Sequence, residues 1–392
     1  MVKKLLLVLA ALSLLIPVMA CAPKAETIEI GCLLDFTGDL AYMADRMADG
    51  ARLAIEEINA AGGVLGKQVE LVEEDGAMDP ATGLTRIKKM VEVDGIQVIA
   101  GPMITPTCEL ATKYGKGNKI PFITPSATGV LISEWEGKEW LFRTCLRDDL
   151  QAKVLAGIIM EGNYTKLATI YVNNAYGQGL QENLIEELQA LGWSGTVVTQ
   201  MPYEGVAKEY HTELQQIIDS GADAVFAVTY CDDGIIIFKQ ALDMGLENID
   251  WFGCDGNGTA GIFEEARAAE FMEKAFVAGT RTGSAGTVYE KFVASYQDKY
   301  GEAPGIYACT THDAVWLAAK AIEAAGVYDG EAIRNALAGI EFEGASGSVR
   351  FDELGDRPSG TFEVWAVEKG ELENALESAS GYSLVLVKYV SV

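Results

Sequence analysis

Histidine and positively charged residues are both scarce in this chain of 392 residues. It contains two histidines, His211 and His312, and 30 lysines and arginines against 57 aspartates and glutamates, a formal net charge of −27 at pH 7. Two histidines so far apart in the sequence argue against a multi-histidine metal site, and we expect neither a metal nor a cofactor. Binding to nucleic acid needs clustered lysines and arginines that neutralise phosphates, so the charge balance argues against that class as well.

An apolar run long enough to cross a bilayer is also missing. Residues 5–16 form a mostly apolar run that follows Lys3 and Lys4, but it is too short for a transmembrane helix. A charged start, a short apolar core and a small residue before Cys21 are typical of a secretory signal peptide, predicted here over residues 1–20. The residues ending at Cys21 resemble the lipobox of bacterial lipoproteins, so we predict lipidation of Cys21; cleavage without a lipid is the alternative. The protein is therefore predicted to be exported and anchored at the periplasmic or outer face of the cytoplasmic membrane.

Cysteines are too few for a scaffold built from disulfides. Six remain after Cys21 in a chain of this length. Export permits disulfides, and Cys231 and Cys254 each follow a predicted strand, so this pair is the best candidate for a disulfide. In a protein from an anaerobic source, every thiol would be free instead.

Short β-rich runs alternate with longer helical runs twice along the chain. Apolar residues at helical spacing predict a helix over 41–61, and Asp79 followed by Pro80 is typical of a helix start. Helices between strands favour parallel pairing, so we predict an α/β fold with two doubly wound sheets. No proline-rich linker separates the halves, which favours several short crossovers. Strands are predicted at 28–34, 68–74, 96–100, 120–124, 167–172, 195–201, 224–229, 249–253, 348–351, 362–367 and 384–389, and helices also from 80 toward 93, from 105, and at 150–161, 179–191, 208–220, 234–244, 288–300 and 311–325.

In doubly wound sheets, ligands bind beyond the carboxyl ends of the strands, so the residues directly after each strand are the candidates for a site. Thr105 lies before Pro106 at a predicted helix start, where free N–H groups favour a carboxylate; a plain N-cap is the alternative. Asp255 could bind an ammonium group from the opposite side, or could be a turn residue. The candidates at such positions are Tyr42, Thr105, Ser126, Ala127, Thr128, Tyr176, Tyr230 and Asp255.

Motifs of common enzymes are weak or missing. Residues 256–261 match the dinucleotide pattern G-x-G-x-x-G, but a genuine fingerprint opens the first βαβ unit and precedes a long helix, which this segment does not. The sequence has no phosphate-binding P-loop and no G-x-S-x-G motif. His211 and His312 are interpreted as surface or capping residues, which leaves no base for a serine triad. A secreted dehydrogenase or hydrolase is thus the least favoured class, and we expect no enzyme activity.

Five segments resemble the type I periplasmic binding proteins of the leucine/isoleucine/valine-binding group, the solute receptors of branched-chain amino-acid ABC importers. The longest segment is also the most specific, because it contains a whole helix and the turn Asn59-Ala-Ala-Gly-Gly-Val-Leu-Gly66. The resemblance implies two Rossmann-like lobes joined by a three-crossover hinge. Lobe 1 would comprise residues 24–145 plus 282–356, and lobe 2 residues 146–281 plus 357–392. The segments are 30–38, 49–66, 79–80, 101–102 and 123–128.

The resemblance also implies roles for the candidate residues. Thr105 corresponds to a hydroxyl on the ligand carboxylate, and the segment 126–128 to groups that hold the carboxylate and ammonium. Tyr176 and Tyr230 correspond to tyrosines that contact the ligand. Asp255 stands where the family often has glutamate on the ammonium group, and its side chain is shorter by about 1.5 Å.

The predicted function is that of a receptor that binds a small amino acid of branched-chain type between the lobes and delivers it to an ABC permease and ATPase. Closure of the lobes would desolvate and strengthen the charged hydrogen bonds. Two alternatives remain open: a different small solute, such as an amide, an aromatic acid or another carboxylate, and a ligand-sensing domain without transport.

Overall fold

The computed structural model describes residues 27–205 and 207–392. The predicted signal peptide and the predicted lipidation site at Cys21 lie outside these residues. The described residues form two large sheets with helices packed on them, and one two-stranded hairpin. The strands are β1 (Ile28–Leu34), β2 (Val69–Asp75), β3 (Ile99–Ala100), β4 (Phe122–Thr124), β5 (Leu141–Arg143), β6 (Lys166–Val172), β7 (Thr196–Tyr203), β8 (Ala224–Val228), β9 (Asp250–Gly253), β10 (Phe276–Thr282), β11 (Glu341–Gly344), β12 (Gly347–Arg350), β13 (Thr361–Lys369), β14 (Glu377–Ala379) and β15 (Tyr382–Ser391). The α-helices are α1 (Ala41–Ala60), α2 (Pro80–Lys88), α3 (Thr105–Asn118), α4 (Asp148–Glu161), α5 (Ala175–Ala190), α6 (His211–Ser220), α7 (Cys231–Asp243), α8 (Ala266–Ala275), α9 (Thr287–Tyr300), α10 (Ala308–Ala325) and α11 (Gly330–Leu337).

The first sheet contains five parallel strands in the order β2-β1-β3-β4-β5. Its strand β1 is buried along nearly its whole length, as expected for a parallel strand covered on both faces. Helices α1 and α10 pack against each other beside this sheet. Gly50 lies at their contact, where a Cβ atom would come within 2.4 Å of the carbonyl oxygen of Ala308. Glycine therefore sets how closely these two helices approach.

The second sheet contains eight strands in the order β14-β15-β13-β10-β9-β8-β6-β7. The strands from β7 to β10 are parallel, and β13, β15 and β14 add an antiparallel edge. Aromatic rings fill much of its core, since the ring of Phe276 stacks on Trp251 at 6.1 Å and on Trp365 at 5.9 Å between centroids. Stacked rings of this size remove a large apolar area from water and hold β9, β10 and β13 together.

The chain passes between the two sheets three times: from β5 to α4, from β10 to α9, and from β12 to β13. This connectivity confirms the predicted α/β fold with two doubly wound sheets. Most predicted elements occur within a few residues of their predicted bounds, but β5, β10, β11, β14, α8 and α11 were not predicted. These elements are short or follow the preceding element without a turn, so their sequences show little periodicity. None of the helices in the described part of the chain is long and apolar enough to cross a bilayer.

The interpretation of His312 as a surface or capping residue is wrong, whereas His211 is exposed as expected. His312 is 6% exposed inside α10, and its Nε2 lies 2.9 Å from the Glu57 carboxylate on α1. Its Nδ1 lies 3.3 Å from Asp313. Burial alone would lower the pKa of the imidazole, but the hydrogen bonds with Asp313 and Glu57 more than offset it and raise the pKa to about 9. A charged histidine therefore ties α1 to α10.

The proposed disulfide between Cys231 and Cys254 is also wrong. All six cysteines of the described residues are free and buried. The thiol of Cys254 lies 3.3 Å from the hydroxyl of Tyr176, and Cys231 Sγ packs against the backbone at Gly261. Although Cys231 and Cys254 each follow a strand, their sulfur atoms do not form a disulfide.

Replacing His312 with glutamine should change how stability depends on pH. Because the folded protein raises the pKa of His312, its charged form stabilises the wild type fully below about pH 6.5, and this contribution is lost as the pH rises through about 9. The wild-type advantage over His312→Gln should be on the order of 3 kcal/mol at pH 6 and close to zero above pH 10. Urea unfolding of both proteins at several pH values measures this difference in the free energy of unfolding.

The matched control is His211→Gln, which changes the exposed histidine. It should leave stability within about 0.5 kcal/mol of wild type at every pH. A constant difference between wild type and His312→Gln across this pH range would contradict the charged pairing.

Candidate functional site

A pocket opens between the carboxyl ends of the strands of the two sheets. About 350 Å³ of space there is free of protein atoms, and part of it is open to solvent. Residues that follow β1, β3 and β4 form one side, residues that follow β6, β8 and β9 form the other, and Tyr307 closes one end. This is the position that parallel strand topology predicts for a ligand site. The lining residues are Leu40, Met43, Met103, Ile104, Thr105, Ser126, Tyr176, Tyr230, Asp255, Gly256 and Tyr307.

The carboxylate of Asp255 is the centre of the polar end of this pocket. It is 3% exposed, and its Oδ1 accepts hydrogen bonds from Tyr176 at 2.8 Å and from Gln151 at 2.9 Å. Its Oδ2 accepts a hydrogen bond from Tyr307 at 2.6 Å. Burial, followed by the charge of Asp255, holds the pKa of both tyrosines well above the usual value, so both hydroxyls stay protonated and donate. The three donors are neutral and leave the negative charge uncompensated.

Tyr307 is a site residue that the sequence analysis missed. It precedes α10 with φ of +67°, a left-handed conformation that is rare and costly for a residue with a side chain. Its carbonyl oxygen accepts hydrogen bonds from the hydroxyls of Thr310 and Thr311, which fix the turn. The only signal in the sequence is a tyrosine just before a helix, which does not follow a predicted strand.

The side of the pocket formed by residues of the first sheet includes the start of α3. The helix begins at Thr105 and Ile104 precedes it as the N-cap, so the interpretation of Thr105 as an N-cap is wrong by one residue. The hydroxyl of Thr105 does not cap the helix; it accepts a hydrogen bond from the N–H of Gly129 at 3.3 Å. Ser126 donates to the carbonyl of Met103 at 2.8 Å. First-turn N–H groups of α3 therefore provide a partial positive charge beside two hydroxyls.

A second pair of acidic side chains bridges the two sides near this pocket. Asp39 follows β1 and shares a hydrogen bond with Asp233 on α7. Burial and then the charges of Asp233 and Asp232 raise the pKa of Asp39 to about 7. The hydroxyls of Tyr203 and Tyr210 also donate to Asp233, at 3.2 and 3.1 Å. Residues from both sheets thus meet here through a carboxyl pair that can share a proton.

The structure brings five of the eight predicted site residues to the pocket and leaves three outside its lining. Ala127 and Thr128 are buried behind the wall, and the ring of Tyr42 packs under the guanidinium of Arg46 at 3.7 Å. The glycine-rich segment 256–261 forms short 3-10 turns and precedes no long helix. Within the described residues, no group of three or more potential ligands is arranged to hold a metal ion. The five predicted site residues that line the pocket are Thr105, Ser126, Tyr176, Tyr230 and Asp255.

A model of the family described as periplasmic binding protein matches residues 27–371. The chain belongs to this family. This periplasmic binding protein is 29% identical over 349 residues to the leucine-, isoleucine-, valine-, threonine- and alanine-binding protein of Pseudomonas aeruginosa. The match covers 88% of this chain and 91% of that protein.

Two solved structures have the same fold as this periplasmic binding protein. The branched-chain amino acid transporter substrate-binding protein LivJ of Streptococcus pneumoniae, in complex with isoleucine, superposes with a TM-score of 0.79 at 24% identity, covering 92% of this chain and 100% of that chain. A solute-binding protein of an R. palustris ABC transporter, in complex with 4-hydroxybenzoate, superposes with a TM-score of 0.80 at 18% identity, covering 93% and 97%. At these identities, the likeness establishes the two-lobed fold.

Replacing Tyr307 with phenylalanine should destabilise this binding protein. The change removes one of three hydrogen bonds to a buried carboxylate and keeps the ring, so we expect a loss of about 1–3 kcal/mol in the free energy of unfolding. Tyr164→Phe is the matched control, because the hydroxyl of Tyr164 donates to the exposed carboxylate of Asp250 at 2.7 Å. Tyr164→Phe should lower the free energy of unfolding by less than about 1 kcal/mol. Urea unfolding of both variants compares them, and equal losses would contradict a special role for Tyr307.

Proposed function

We propose that this protein is the solute-binding component of an ABC importer and binds a small α-amino acid of branched-chain type in the pocket between its lobes. The observation that carries this proposal is the charge of Asp255. Its carboxylate is buried, its three donors are neutral, and no ion pair of the described residues involves it. A buried charge without a counter-charge is costly, and an ammonium group of the ligand would supply one.

The rest of the pocket suits the remaining groups of such a ligand. The start of α3, with Thr105 and Ser126, favours a carboxylate on the first sheet's side of the pocket. Four apolar side chains in the lining offer a surface for an aliphatic side chain. The apolar side chains are Leu40, Met43, Met103 and Ile104.

An aromatic acid, the ligand class of the R. palustris protein, is the second candidate. Such a ligand would bring a carboxylate to α3 equally well. It would, however, leave the charge of Asp255 without a cation, so the electrostatics favour the amino acid.

The proposed mechanism is binding without a chemical reaction. The solute docks on lobe 1 (residues 24–145 plus 282–356), lobe 2 (146–281 plus 357–392) closes over it, and an ABC permease and ATPase receive it from the closed form. The protein works outside the cytoplasm, held at the membrane by a lipid on Cys21. The three passes of the chain between the sheets are consistent with a hinge at these boundaries.

Calorimetric titration with L-leucine, L-isoleucine and 4-hydroxybenzoate tests the function. We expect the amino acids to bind and Asp255→Asn to weaken their binding by about 30-fold or more, since loss of a buried charge partner costs about 2–5 kcal/mol. Asp250→Asn, at the exposed start of β9, is the control and should bind as wild type does. Binding of the aromatic acid alone would support the second candidate, and wild-type affinity of Asp255→Asn for amino acids would overturn the assignment of the site.

A further inference from the structure

A second carboxyl group, that of Asp148, is buried next to the pocket without a well-directed hydrogen bond. Asp148 is the first residue of α4 and is 0% exposed, and none of the described residues donates to its carboxyl oxygens in good geometry. Its backbone N–H donates to the carbonyl of Thr128 at 3.1 Å, and the Thr128 hydroxyl beside its carboxyl group is buried as well. An isolated carboxylate in such a place would be too costly, so this group is held neutral, with a proton.

Helix α4 links Asp148 to Asp255 through Gln151. Gln151 lies three residues further along the same helix and donates to Asp255, and residues at this spacing share one helix face. Burial, and then the negative charge of Asp255, raise the pKa of Asp148 well above its usual value. The two carboxyl groups therefore cannot both be charged at little cost in the empty site.

Among the described residues, no lysine or arginine forms an ion pair with Asp148 or Asp255. Arg143 is the nearby cation, but its Nε and Nη2 bind Asp356 at 2.6 and 3.0 Å. Its Nη1 donates to the carbonyls of Thr128 and Gly129. The other titratable groups that face Asp148 are acids or neutral donors, namely Asp149, Asp255, Cys145, Tyr176 and Tyr307.

We propose that the buried carboxyl group of Asp148 holds a proton in the empty pocket, and that the ammonium group of the ligand, bound at Asp255, displaces this proton. The inference rests on the proposed function. The charge balances, because two carboxyl groups with one proton carry −1, and two carboxylates with one ammonium group also carry −1. The proton leaves for the solvent. Asp148 does not line the pocket and is a positioning residue that acts through Asp255.

This exchange would make the site selective for a cationic amine. A 2-hydroxy acid of the same shape brings no positive charge, so it cannot displace the proton. It would leave the proton on Asp148 and gain one hydrogen bond from its hydroxyl to Asp255, without the ion pair that an ammonium group forms. Asp148 would thus help to discriminate an amino acid from its hydroxy-acid counterpart.

Calorimetric titration with L-leucine in two buffers that differ in ionisation enthalpy tests the proposal. The dependence of the observed enthalpy on the buffer gives the number of protons released. We expect release of about one proton per ligand at a pH where the empty pair is protonated, and an affinity that rises about tenfold per pH unit over that range. The sign follows from competition, because a higher pH removes the proton that the ammonium group must displace.

Two variants separate this exchange from other titrations. Asp148→Asn keeps the shape and cannot ionise, so proton release should fall to near zero and the affinity should no longer rise with pH. Asp149→Asn, a neighbour that pairs with Arg147, should release as many protons as wild type. Thermal unfolding checks that both variants fold.

Leucine binding by the wild type without proton release would overturn the proposal, even if Asp148→Asn failed to fold. Release of as many protons from Asp148→Asn as from wild type would overturn it too. If no amino acid bound to the wild type at all, the proposed function itself would fail, and this result is distinct from binding without proton release.

Discussion

The buried carboxylate of Asp255 is the constraint around which the site is organised. Its three donors come from distant parts of the chain: Gln151 from α4, Tyr176 from α5, and Tyr307 from the turn before α10. An unsatisfied carboxylate at this depth would be strongly destabilising, so these segments have to converge on it. The left-handed backbone of Tyr307 is consistent with this convergence. A residue in a strained conformation persists only where its contacts hold it, and the hydrogen bond to Asp255 is one such contact.

Several buried charges elsewhere in the described part of the chain are paired with an opposite charge. Arg281 binds Glu363 at 2.8 Å and Glu377 at 2.5 Å, and this triad joins β10, β13 and β14. Arg143 binds Asp356 next to β5. Asp255 at the pocket differs from these pairs, since its donors are all neutral. A buried charge without a counter-charge at a cavity is typical of a place for a charged ligand, whereas the matched pairs hold elements together.

The fold could be predicted from the sequence because most strands and helices have strong periodicity. The first strand, for instance, was predicted with its observed bounds at 28–34. The site was partly predictable, because topology places strand ends at one edge, and Thr105, Tyr176 and Asp255 follow strands. Tyr307 follows none, and its role depends on a long-range contact that local sequence does not encode. His312 was misread for the same reason: its partner Glu57 is 255 residues away.

The six free thiols have a consequence for how the molecule reaches its native state. Each sulfur lies inside the fold, and burial raises the pKa of every one of these thiols above its usual value. Little thiolate is therefore present or accessible once the chain has folded. The folded state contains no disulfide among the described residues, so forming it consumes no oxidant.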